Sequence, residues 1–133
     1  MNLTATLEGG CLCGAVRYRI GGPVRDAAHC HCTLCRKASG APVVTWFTVA
    51  PRDFSLTRGR LSTYKSTPGA ERGFCSSCGS PITFFAQTSP EDLDVTACTL
   101  DDPETIRPDR HIWTTTRLSW LHMADGLPDR EGE

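Results

Sequence analysis

The stretch GGCLCGAVRYRI, residues 9–20, holds the two features that decide the fold. Its second half alternates, with Val16, Tyr18 and Ile20 on one face and Arg17 and Arg19 on the other, the period of a half-buried β-strand. Its first half sets Cys11 and Cys13 two residues apart between glycines, a spacing that suits a shared metal better than a crosslink between distant segments. Read outward from here, the chain is a set of short strands drawn around metal.

Further β-branched and aromatic runs support that reading: VVTWFTV (43–49), RLSTYKS (60–66), ITFFA (82–86) and DLDVTACTL (92–100), each bounded by Gly, Pro or Asp. With 12 Gly and 9 Pro along the chain, helix is expected only as a turn or two after Cys35 and another after LDDPE, where Asp101 or Asp102 can cap. The class is mainly β with few short helices. There is no repeat, linker or low-complexity tract, and the closing PDREGE (128–133) reads as polar, with residues 129–133 a tail expected to fray.

A chain of 133 residues is the size of one domain, and residues 1–133 are read as one. A core of that size does not need a metal merely to exist. The net charge of −1 supplies no field to gather nucleic acid or an anionic membrane. MNLTATLEGG lacks the basic start and apolar run of a secretory signal, and no apolar stretch is long enough to span a membrane, so the expected location is cytoplasmic. The reducing thiol pool there disfavours disulfides, and eight cysteines point instead to metal ligation.

The cysteines fall into three groups plus Cys98: Cys11 and Cys13; Cys30, Cys32 and Cys35 in CHCTLC; and Cys75 and Cys78 in FCSSCGS. A closed structural zinc site needs four ligands, and the first and last pairs supply them, Cys75-x-x-Cys78 with Gly79 resembling half a zinc ribbon. The middle group offers three ligands and leaves a four-coordinate ion one short, the pattern of a catalytic zinc. Three thiolates on Zn²⁺ carry a net −1, which makes a weak hydroxide generator but a good partner for another sulfur. The chemistry indicated is that of a thiol held as thiolate.

GGCLCGAVRY, CHCTLCRKASG, FCSSCGSPI, LDDP and HIWTTTRLSWLHMADGLP occur in that order across residues 9–128. This series resembles the glutathione-dependent formaldehyde-activating enzyme family, which includes the centromere-protein-V relatives. The resemblance implies a fold of several small coiled antiparallel sheets around zinc, similar to methionine sulfoxide reductase B. It implies Cys11, Cys13, Cys75 and Cys78 as ligands of a structural zinc and Cys30, Cys32 and Cys35 as ligands of a catalytic one, in agreement with the ligand count. It further implies condensation of a small thiol, glutathione, with formaldehyde to S-hydroxymethylglutathione, formally a carbon–sulfur lyase in reverse. The alternatives are a zinc-scaffolded interaction module and a thiol redox sensor in which two of Cys30, Cys32 and Cys35 pair after zinc loss.

Other residues carry expectations of their own. His31, between two ligands, is expected to pack behind the ligands or to face solvent rather than to join the ligand set, and His29 to pack beside the loop. Arg36 and Lys37 follow the triplet as possible carboxylate binders or as solvated cations. His111 reads as a satisfied strand residue, Trp46, Trp113 and Trp120 as core aromatics together with Phe84 and Phe85, and Cys98 as a small buried strand residue.

Overall fold

The structure, a computed structural model, describes residues 6–133. Ten strands, β1 (Leu7–Gly10), β2 (Arg17–Ile20), β3 (Arg25–Cys30), β4 (Val44–Val49), β5 (Phe54–Arg58), β6 (Ser62–Thr67), β7 (Ala70–Phe74), β8 (Pro81–Ala86), β9 (Leu93–Thr96) and β10 (His111–Ile112), accompany one short helix, α1 (Thr33–Ser39), among the described residues. The mainly β class is as expected. The sheets are two: a three-stranded one in the order β1-β2-β5, and a seven-stranded one in the order β10-β3-β4-β9-β8-β7-β6. All pairings are antiparallel except β10 with β3.

The alternation of residues 16–20 works as read. Val16, Tyr18 and Ile20 are buried together with Phe47, Val49, Val95 and Ile82 in the main core, whereas Arg17 reaches outward to an ion pair with Asp101. Tyr18 stacks on Phe54 at 5.1 Å. Its hydroxyl, fully buried, is satisfied by Thr99 Oγ1 at 2.8 Å, so the ring enters the core without leaving a polar group unpaired.

The two faces of the large sheet have different fates because strand side chains alternate. Phe47 and Val95, opposite each other on β4 and β9, face the main core. Trp46 and Thr48 on β4 and Asp94 on β9 belong to the other face, where a smaller apolar cluster of Cys30, Cys35, Val44 and Trp46 packs with Phe84 and Ile112. That second face carries the candidate site.

Two expectations fail. Residues 92–100 are not one strand: β9 ends at Thr96, and Ala97–Thr99 form a 3₁₀ turn that leaves Cys98 exposed. The closing segment does not fray; His111 N–H donates to Pro128 O (2.9 Å), Arg130 N–H to His111 O (2.8 Å) and Trp113 N–H to Gly132 O (2.9 Å). Its polar composition hides this docking because it is made by backbone groups. No helix is long and apolar enough to cross a membrane among the described residues.

Candidate metal centres and the cavity beside them

Cys11 and Cys13 lie in the turn joining β1 to β2, and Cys75 and Cys78 in the turn joining β7 to β8. Their four sulfurs lie within 4.8 Å of one another, with Cys11 to Cys13 at 3.6 Å and Cys13 to Cys75 at 3.8 Å. Each turn places a glycine after its second cysteine, Gly14 and Gly79, both at φ +81°; that left-handed conformation lets the backbone curl back around sulfur without a Cβ clash. Val16 N–H donates to Cys11 Sγ at 3.2 Å. Ser80 Oγ accepts from Leu12 N–H at 3.0 Å and contacts Cys78 Sγ at 3.2 Å. The Ser80 hydroxyl is the main cause of a Cys78 thiol lowered to about 5.

The second group forms where β3 runs into α1. Cys30 ends the strand, Cys32 caps the helix, accepting Cys35 N–H on its sulfur at 3.2 Å, and Cys35 lies one turn further on. Their sulfurs also lie within 4.8 Å of one another, Cys30 and Cys35 at 3.6 Å. Hydrogen bonds from Cys30 and then Cys35 hold the Cys32 thiol down at about 2, and the same proximity pushes the Cys30 thiol up, Cys32 being the first cause. The three sulfurs therefore stand close enough to perturb one another's protonation, as a set of thiolate ligands gathered for one cation would. Cys98 belongs to neither group.

A cavity of about 680 Å³ opens beside the triplet. Cys30, Cys32 and Cys35 line one part of it, and its floor is the second face of the large sheet, where Arg72, Phe84, Asp94 and Thr48 stand directly opposite one another on β7, β8, β9 and β4. Both terminal nitrogens of Arg72 lie 3.7 Å from Cys35 Sγ, and its guanidinium sits 5.0 Å over the Phe84 ring. Asp94 accepts from Thr48 Oγ1 at 2.6 Å, and burial pushes its carboxyl up to about 6.

Neither Arg72 nor Asp94 was singled out by sequence. Arg72 lies in a strand, AERGF, that carries little β signal, and Asp94 reads as the outward residue of an alternating run. Of the other residues considered in the sequence, some lie where expected and others do not. His31 is fully buried and faces His111, which settles it in the interior rather than in solvent. His29 is held by Thr45 Oγ1 at 2.8 Å and stacks on His111. Arg36 is spent on the backbone carbonyls of His31 and Thr116, and Lys37 is exposed. Trp46 is buried as expected, but Trp113 is 41% and Trp120 67% exposed. Trp113, at φ +56°, lines the cavity instead of the core. Phe84 also lines the cavity and is only half-buried.

Residues 6–116 match the family described as glutathione-dependent formaldehyde-activating enzyme. A Halomonas elongata protein whose name provisionally gives the same enzyme is 30% identical over 93% of this chain and 85% of its own length. An uncharacterized lyase of Schizosaccharomyces pombe is 30% identical over 62% of this chain and 58% of its own. The crystal structure of a Rhodobacter sphaeroides protein superposes with a TM-score of 0.58 at 24% identity, covering 92% of this chain and 98% of that one, a likeness of fold. With the family's sequence pattern matched over most of the chain and both cysteine groups assembled, this protein belongs to the glutathione-dependent formaldehyde-activating enzyme family.

Proposed function

We propose that the chain works as one domain, a zinc-dependent carbon–sulfur lyase of the cytoplasm that joins a small thiol, glutathione, to a small aldehyde such as formaldehyde. The observation that carries this reading is the three-cysteine group opening onto the cavity. A tetrahedral zinc with sulfurs at 2.3 Å has edges of about 3.8 Å, and the sulfur separations of 3.6 Å and 3.8 Å in the four-cysteine group and 3.6 Å in the triplet support both as zinc ligand sets. Cys11, Cys13, Cys75 and Cys78 complete a four-ligand structural site, whereas Cys30, Cys32 and Cys35 leave one coordination position for a visitor.

When bound at the triplet, zinc supplies a soft Lewis acid that keeps a thiol deprotonated near neutral pH. The protein's own groups supply the rest. Cys30, Cys32 and Cys35 fix the site at the end of a strand and the start of a helix, and Arg72 offsets the negative charge that collects on Cys35. The cavity walls, Trp46, Phe84 and Trp113 among them, offer an apolar surface on which the two reactants can be held together. In the reaction the thiol sulfur bonds the aldehyde carbon, the carbonyl π pair passes to oxygen, and that oxygen takes up a proton, giving a hydroxymethyl thioether; no electrons are exchanged with an outside carrier. The near-neutral overall charge supports a small-molecule rather than a polymeric partner.

The test is the rate of S-hydroxymethylglutathione formation from glutathione and formaldehyde with zinc-loaded protein, measured above the spontaneous reaction. Acceleration that is abolished in Cys32→Ser is expected; a rate equal to the uncatalysed one in fully loaded wild type overturns the reading.

A further inference from the structure

The cavity floor bears two opposite charges whose surroundings leave them incompletely used. Arg72 is half-buried and forms no ion pair with a carboxylate among the described residues, in contrast to Arg17, Arg25, Arg110 and Arg117. Its two terminal nitrogens approach one sulfur, and its Nε is buried without any hydrogen-bond partner. A buried guanidinium nitrogen left without a partner is costly unless a ligand completes its hydrogen bonding.

Asp94 is the opposite case. It faces the same cavity and has one hydrogen-bond donor, Thr48, with no cation within ion-pair distance among the described residues. The nearby Arg25 pairs with Asp92 and Asp26 instead. A largely buried carboxylate on the cavity face of a central strand, where β9 is flanked by β4 and β8, is an expensive choice for structure alone.

Register fixes how the two charges stand relative to each other. Arg72 lies opposite Phe84 and Phe84 opposite Asp94, so their strands are separated by one, and their backbones stand about 10 Å apart at the usual strand spacing. Between them Phe84 gives an apolar step, and the sulfur triplet lies on the Arg72 side, since Arg72 touches Cys35. A cation at one end, an acid at the other and a sulfur-binding group beside the cation describe one ligand. We infer that this floor selects a thiol that carries both an ammonium and a carboxylate, the carboxylate received by Arg72 and the ammonium by Asp94, making these two side chains specificity-determining residues. The inference rests on the thiol reading of the cavity proposed above.

The experiment is calorimetric titration of zinc-loaded protein with three thiols and no aldehyde present: glutathione (both charges), cysteamine (ammonium only) and 3-mercaptopropionate (carboxylate only). Asp94→Asn should weaken glutathione and cysteamine about tenfold or more and leave 3-mercaptopropionate within about twofold. Arg72→Gln should weaken glutathione and 3-mercaptopropionate about tenfold and spare cysteamine. If Arg72→Gln does not retain its zinc, Arg72→Lys, which keeps the charge but not the planar fork, should weaken 3-mercaptopropionate while sparing cysteamine. A loss shared equally by all three thiols, or no loss, overturns the inference and leaves the thiol site standing. Failure of every thiol to bind wild type overturns both, and thiol binding without accelerated formaldehyde condensation removes the proposed activity alone.

Discussion

His31 Nε2 lies 2.8 Å from His111 Nδ1, and both rings are buried. The direction of this bond follows from the far end of the chain of contacts. His111 Nε2 lies 2.9 Å from Asp125 Oδ2, a carboxylate that can only accept, so His111 donates there. With His111 in its neutral form, its Nδ1 accepts and His31 Nε2 donates. Burial holds the His31 imidazole down at about 4, so it is neutral at physiological pH. The segment after β10 is thereby tied to the loop that carries Cys30 and Cys32. Thr116 Oγ1, donating to His31 O at 2.8 Å, adds a second tie.

Substituting His111→Leu should leave the His31 donor buried without an acceptor and cost about 1–3 kcal/mol in urea unfolding. Asp125→Asn, whose side-chain oxygen still accepts from His111, should cost less than about 1 kcal/mol. Equal losses in the two variants would mean that the buried pair does not anchor the loop.

Asp94 makes a pH prediction of the opposite kind from a stabilising ion pair. Its carboxyl is raised from 3.8 to about 6 in the folded protein, chiefly by burial, with Glu133 and Asp92 adding to the shift and Thr48 and Arg25 opposing it. Between those values the folded state holds more proton than the unfolded chain, so stability falls as pH rises from about 4 to about 6 and stays lower above. Asp94→Asn should match wild type near pH 3.5 and exceed it by about 1–3 kcal/mol at pH 7–8, read from urea midpoints. A stability difference that does not change with pH would show that the carboxyl is not strained by burial. The expected gain in stability with a loss of thiol affinity is the exchange seen where a site is built at the expense of the fold.

What the sequence made legible was local. Val16, Tyr18 and Ile20 could be placed because one strand's alternation states which face is buried, and the two cysteine groups because their spacing states which loops meet. β3, RDAAHC, and β7, AERGF, carry neither β-branched runs nor clean alternation; they are strands because the neighbours on both sides supply their hydrogen bonds. The alignment of Arg72, Phe84, Asp94 and Thr48 is a property of register among four strands drawn from residues 44 to 96, and no single segment encodes it. His111 meets His31 across 80 residues through the parallel pairing of β10 with β3, which is equally invisible to local pattern.

Cys98 is expected to be dispensable. It is exposed in the 3₁₀ turn after β9 and stands outside both sulfur groups. Cys98→Ala should keep the full complement of bound metal and change stability by less than about 0.5 kcal/mol, as surface substitutions usually do. Loss of one metal equivalent in that variant would contradict the three-ligand site.

The two centres should part company under a chelator. The four-cysteine group joins the β1–β2 and β7–β8 turns, which belong to different sheets, so a metal held there would fasten one sheet to the other. The three-cysteine group has one ligand fewer and opens onto the cavity, while its own segment is also held by α1 and by the His31–His111 pair. Metal analysis under reductant should find about two zincs per chain, and a graded chelator should remove about one of them first. At that stage the far-UV circular dichroism should be intact and thiol binding abolished, with unfolding following loss of the second. Cys32→Ser should start at the one-zinc stage, folded, whereas Cys75→Ser, which removes a fully buried sulfur from the joint between the sheets, should lose its cooperative transition. Simultaneous release of both metals, or unfolding on loss of the first, would show that the triplet also holds the fold together and that its vacant coordination position is not set apart for substrate.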